Sequence, residues 1–166
     1  MILVSACLIG KNCKYSGGNN MNYKIISLLK DKRILPVCPE ELGGLPTPRT
    51  PAEIVGGDGC SVLLGHGKVL CQNNLNVTSQ YLNGTEIVKK AAENNKVVLA
   101  IMKERSPSCG VQQIYDGSFS GKTIKGSGVC TAALQKLGIP VISEETVLTN
   151  AILDIITKAT IHCPEN

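Results

Sequence analysis

Aromatic side chains are scarce in this chain, at 3% of 166 residues. Its 17 Lys and Arg, for a net charge of +4, are scattered rather than clustered. Nucleic-acid binders gather their basic residues, and single-strand binders add stacking aromatics, so a nucleic acid is not the expected partner. A small anionic or polar ligand fits better. No apolar run approaches the ~20 residues of a membrane span. Ile2-Leu3-Val4 is too short for the core of a signal peptide, and no basic residue precedes it. The cytoplasm is therefore the expected compartment. No CxxC pair, internal repeat or low-complexity segment interrupts the sequence. With 43% hydrophobic and 18% charged residues, a single packed domain over 1–166 is expected.

What the chain does have is eight cysteines. In a cytosolic domain they point to metal or catalysis rather than to disulfides. Three follow apolar runs suited to buried strands: Cys7 after Ile2 to Val4, Cys38 after Ile34 to Val37, and Cys109 after Val97 to Met102. Ligands of open α/β sheets bind beyond the carboxyl ends of the strands. Three thiols converging there suggest one site for a soft metal or an iron–sulfur cluster, with one coordination position left open.

The element order reads strand 2–6, helix at about 21–31, strand 33–38 and a Gly/Pro-rich loop, Gly43 to Gly59. Ser61 to Leu64 and Lys68 to Cys71 then flank Gly65-His66-Gly67 as a hairpin. A helix capped at Asn76-Val77-Thr78 runs to Ala92, followed by strand 97–102, a helix from Val129 to Leu137 and a strand from Ile139 to Ile142. Glu144-Glu145 opens a last helix through Ile156, its acidic first turn suited to the dipole. This alternation predicts an α/β fold of three layers, with a mainly parallel, Rossmann-like sheet and a small hairpin insertion.

Cys38-Pro39-Glu40-Glu41 and the following Gly43-Gly44 form the densest segment. A carboxylate beside a metal thiolate suits a general base, and Glu40 and Glu41 are both candidates. Gly43-Gly44 would let the backbone approach a ligand, and Arg49 would meet either a substrate anion or a carboxylate of its own loop. Ser106 and Ser108 flank the Cys109 thiol with hydrogen-bonding groups. Cys13 is a spare thiol near the site, while Cys60, Cys71 and Cys130 read as core residues. Gly126-Ser127-Gly128 before a helix would cradle an anion. His66 reads as a turn residue, and His162-Cys163 as an improbable metal pair.

Together, Val4-Ser5-Ala6-Cys7-Leu8-Ile9-Gly10, Cys38-Pro39-Glu40, Gly43 to Arg49, Ser106-Pro107-Ser108-Cys109-Gly110, and Gly128 with Thr131 to Leu134 resemble the bacterial thiouracil desulfidase family of small cytosolic proteins. The resemblance implies a [4Fe-4S] cluster held by Cys7, Cys38 and Cys109, with the fourth iron open. It also implies an acidic residue at Glu40, a serine from the Ser106/Ser108 pair, and a small thiolated substrate of the 2-thiouracil kind. The stretch between Gly56 and Asn76 is expected near that substrate. Two other readings stand beside it: a non-catalytic cluster- or metal-binding sulfur carrier or sensor, and a metal-free enzyme using Cys109 as nucleophile. The nucleophile reading lacks a base, because His66 and His162 are both poorly placed.

Overall fold

The computed structural model describes residues 1–146 and 148–159. Its centre is a parallel four-stranded sheet in the order β2-β1-β5-β8. These strands are Ile34–Val37 (β2), Ile2–Ser5 (β1), Leu99–Met102 (β5) and Val141–Ser143 (β8). Every residue of β1 and β5 is buried, as expected of parallel strands covered on both faces. Their period-two alternation divides the core. Ile2, Val4, Leu99 and Ile101 face Ile25 of α1 (Tyr23–Leu28) and Ile156 of α6 (Asn150–Lys158). Leu3, Ala100 and Met102 face Val88 and Ala92 of α4 (Thr78–Asn94) and Cys130 and Leu134 of α5 (Val129–Lys136). The expected three layers are present.

A second cluster of elements sits beside the sheet. Ala52–Val55 (β3) pairs antiparallel with Lys68–Cys71 (β4), and Gln113–Tyr115 (β6) with Thr123–Lys125 (β7). The hairpin insertion therefore exists with partners other than those expected. Ser61 to Leu64 is no strand, since Gly59–Leu63 forms the short helix α3. Asp58 caps it by accepting from the Ser61 N–H, and Val62 is buried while Leu64 is 64% exposed. An apolar run as short as Val62 to Leu64 does not separate strand from one-sided helix by itself.

The last helix also begins later than expected, at Asn150 with Thr149 as cap. Glu144 and Glu145 lie in a turn, where they pair with Lys103 and Arg105 rather than with a helix dipole. His162-Cys163 falls outside the described residues.

Two close backbone contacts position the loops above the sheet. Pro39–Leu42 forms a one-turn helix, α2, pressed onto α4. A Cβ on Gly84 would lie 1.9 Å from the Pro39 carbonyl oxygen, and one on Gly43 would lie 2.0 Å from that of Gln80. Gly43 therefore serves helix packing, not ligand approach. A Cβ on Gly128 would lie 2.5 Å from the Ser108 carbonyl carbon.

Candidate active site

Parallel pairing of β2, β1 and β5 brings three carboxyl ends side by side. Cys7 lies in the 3₁₀ turn Ala6–Ile9 just after β1, Cys38 directly follows β2, and Cys109 lies in the loop after β5. All three line one cavity of about 480 Å³, together with Glu40, Ser106 and Ser108. The six residues singled out from the sequence thus share one space.

Cys13 joins them and is more central than a spare thiol. It is buried at 2% exposure, and its Sγ, that of Cys38 and a carboxylate oxygen of Glu41 lie within 4.8 Å of one another. A hydrogen bond from Cys13 lowers the Cys7 thiol to about 7, against the opposing effect of burial. The same kind of bond lowers Cys38, again against burial. Cys13 is pushed up by Cys38, then Cys7, then burial, and so keeps its proton. The result is two thiolate-prone sulfurs with a donor between them.

Cys109 sits apart from that trio in environment. Burial pushes its thiol up to about 12, although Ser108 and Ser5 act to lower it. That is the reverse of the activation a free nucleophile needs, so a metal-free role for Cys109 has no support here. The residue is held on every side. Its N–H donates to Ser106 Oγ (3.1 Å), its carbonyl accepts from Thr131 Oγ1 (2.8 Å), and its Sγ is 3.4 Å from Ser108 Oγ.

Ser108 Oγ also donates to Glu40 Oε1 at 2.9 Å, and lies 3.1 Å from Ser106 Oγ. The other Glu40 oxygen accepts from Arg49 Nε at 2.7 Å and is 2.6 Å from Nη2. Arg49 goes on to the carbonyls of Cys13 (2.9 Å) and Pro46 (3.2 Å). It therefore meets a carboxylate close to its own loop and ties Glu40 to the cysteine segment. Glu41 points its bonds elsewhere, to Lys11 (2.7 Å) and Thr47 (2.9 Å). Of the two candidate bases, Glu40 is the one among the cavity's lining residues.

Two expectations are corrected. Gly126-Ser127-Gly128 offers no anion cradle, because the first amides of α5 are already bonded: Val129 N–H to Pro107, and Cys130 and Thr131 N–H to Ser108. Between Gly56 and Asn76, only Gln72 lines the cavity. Its lining includes instead Glu53 on β3 and Tyr115, Phe119 and Gly121 of the β6–β7 hairpin. Sequence reasoning missed these residues. The signal that was available is that Phe119 is an isolated aromatic in the polar run Asp116-Gly117-Ser118-Phe119-Ser120-Gly121.

Among the described residues, no helix is long and apolar enough to cross a membrane. The model of a family described as 2-thiouracil desulfurase matches residues 2–146. A Bacillus subtilis (strain 168) protein, the uncharacterised YbbK, is 46% identical over 144 residues, which is 87% of this chain and 95% of that one. A solved structure of TudS, described as a [4Fe-4S]-dependent thiouracil desulfidase, superposes with a TM-score of 0.75 at 38% identity. That likeness covers 87% of this chain and 90% of the other.

Proposed function

This chain belongs to the 2-thiouracil desulfurase family, and from that premise we propose that it is a [4Fe-4S]-dependent, non-redox desulfidase of a thiolated nucleobase. The reaction takes a ring thiocarbonyl and water to the ring carbonyl and hydrogen sulfide. The water oxygen bonds to the ring carbon, the carbon–sulfur bond breaks, and no electrons are gained or lost.

The donor set suits the cofactor, since thiolates hold iron–sulfur clusters and four thiols line one cavity. Cys7, Cys38 and Cys109 are the residues we assign to hold it, with the single Cys13 S–H placed to donate to either of the first two. When bound, the cluster supplies a soft Lewis acid for the thiocarbonyl sulfur.

The Glu40–Ser108 pair, set among those thiols, is the observation that carries the reading. Glu40 acts as general base on the attacking water. Arg49 fixes the carboxylate through two nitrogens, which holds it in one orientation. Ser108 bonds to Glu40 and approaches the Cys109 sulfur, so its hydroxyl can pass the proton toward the departing sulfide. Ser106 accepts from the Ser108 and Cys109 amides and shapes their turn. Free thiols gathered this closely persist in a reducing compartment, and the cytoplasm is the one we assign.

The test is anaerobic reconstitution followed by an assay with 2-thiouracil. Brown protein with about four irons, releasing sulfide and uracil in equal amounts, is the expected outcome. Single Ser replacements of Cys7, Cys38 and Cys109 should each abolish the colour. Retained colour in all three, or loaded protein without sulfide release, would overturn the proposal.

A further inference from the structure

We propose that Phe119 is the platform on which the planar ring of the substrate stacks, so that the β6–β7 hairpin sets specificity for aromatic over aliphatic thioamides. The inference rests on the desulfidase reading for its substrate class and goes beyond it in naming the recognition residue.

The whole chain contains five aromatic residues and no tryptophan. Four of the five, Tyr15, Tyr81, Tyr115 and Phe119, line the cavity that holds the thiols and Glu40. Two of these are poor platforms. Tyr81 is built into the wall at 2% exposure. Tyr15 is 44% exposed and has the Lys14 ammonium 5.4 Å from its ring centroid. Both remaining rings belong to the hairpin, and Phe119 is at its tip.

Phe119 belongs to none of the hydrophobic core clusters, although it is half-buried. Its neighbours in the tip are Ser, Gly and charged residues, so no core requires a phenyl ring at this position. The backbone beneath it is nevertheless fixed. Glu53, itself 7% exposed, accepts from the Gly117 N–H at 2.9 Å and the Phe119 N–H at 3.0 Å. Gly117 presses so close to β3 that a Cβ would lie 2.6 Å from the Ile54 carbonyl oxygen. Phe119 is held at φ 57°, a left-handed conformation that bulky residues adopt only where the surroundings impose it. A buried carboxylate thus clamps a strained loop tip whose one apolar side chain lines the reaction cavity. A phenyl ring has no polar handle, so what it can recognise is a π-face.

The experiment compares wild type, Phe119→Ala and Phe119→Tyr as cluster-loaded enzymes, each checked for unchanged cluster absorbance. With 2-thiouracil, Phe119→Ala should raise KM roughly 5- to 150-fold, the span of base–aromatic stacking, while kcat stays within about threefold and Phe119→Tyr restores KM. An unchanged KM in Phe119→Ala would overturn the proposal. A second arm uses Phe119→Trp, which gives the chain its sole tryptophan. Titrating uracil should change its emission in a saturable way, and a flat titration would count against the platform. If wild type releases no sulfide, the desulfidase reading fails, while the emission titration still decides whether a pyrimidine ring binds at Phe119.

Discussion

Glu40 is gripped from two directions, by Arg49 on one oxygen and by Ser108 on the other. Gln in its place keeps the size and removes the base proposed here, so Glu40→Gln should lower kcat about 10²- to 10⁴-fold without bleaching the cluster, as read by sulfide release and visible absorbance. The two ion pairs of this segment should also differ sharply in worth. Arg49 and Glu40 side chains are 7% and 13% exposed, whereas Lys11 in the Glu41 pair is 58% exposed. Removing one partner of a buried pair strands a charge and costs about 3–5 kcal/mol, while an exposed pair contributes about 0–1 kcal/mol. Urea unfolding of the cluster-free protein should show this contrast between Arg49→Ala and Lys11→Ala. Equal losses would mean that Arg49 is solvated in the free protein.

At the level of elements, α2 reaches the site only because α4 lets it in. With the Pro39 oxygen 1.9 Å from where a Cβ would sit, Gly84→Ala must push α2 outward and carry Cys38 and Glu40 with it. Overpacking of this kind costs about 1–3 kcal/mol or more. A lower Tm together with poor cluster uptake is expected, whereas Gly18→Ala, in a more open loop, should do neither. The loop after β5 has its own anchor in Glu104. Burial would raise its carboxyl, but the N–H groups of Gln113, Gln112 and Val111 outweigh it and hold it below the usual 4.5. The stabilisation is therefore fully present above the unfolded value and is lost as pH falls through the lowered one. Wild type should lose unfolding free energy on acidification below about pH 4.5 more steeply than Glu104→Gln does. Parallel slopes would remove Glu104 from that role. These elements also divide what the sequence made legible from what it did not. Ile2-Leu3-Val4 and Leu99 to Met102 are apolar throughout because both faces are covered, and the thiols that follow them mark the strand ends. By contrast, β6 and β7 are three residues each, with exposed Gln113 and Lys125 at their ends, too short for any period to register. Glu53 reads as an ordinary strand charge until the hairpin amides 64 and 66 residues later are seen to meet it.

Across the whole molecule, the described cysteines sort by place. Cys130, on α5, is fully buried, Cys13, Cys71 and Cys109 are also buried, and Cys7, Cys38 and Cys60 are partly accessible. Brief alkylation of the cluster-free protein should label Cys7, Cys38 and Cys60 ahead of Cys130, and loading should then protect Cys7 and Cys38 but leave Cys60 unchanged, as read by peptide mass spectrometry. Protection of Cys60 instead would move the ligand set. The sheet order has a further consequence, for timing. Strand β1 pairs with β2 through Ile2↔Ile34 but also with β5 through Ile2↔Leu99, so the first strand made is central and must wait for the third of its group. Between the synthesis of Cys7 and of Cys109 the ribosome adds 109 − 7 = 102 residues, about 5–20 s at ordinary elongation rates. For that interval the early thiols have no completed sheet edge to gather on. On the proposed ligand set, iron delivery cannot precede the synthesis of Cys109, and a nascent chain stalled before β5 should emerge without iron.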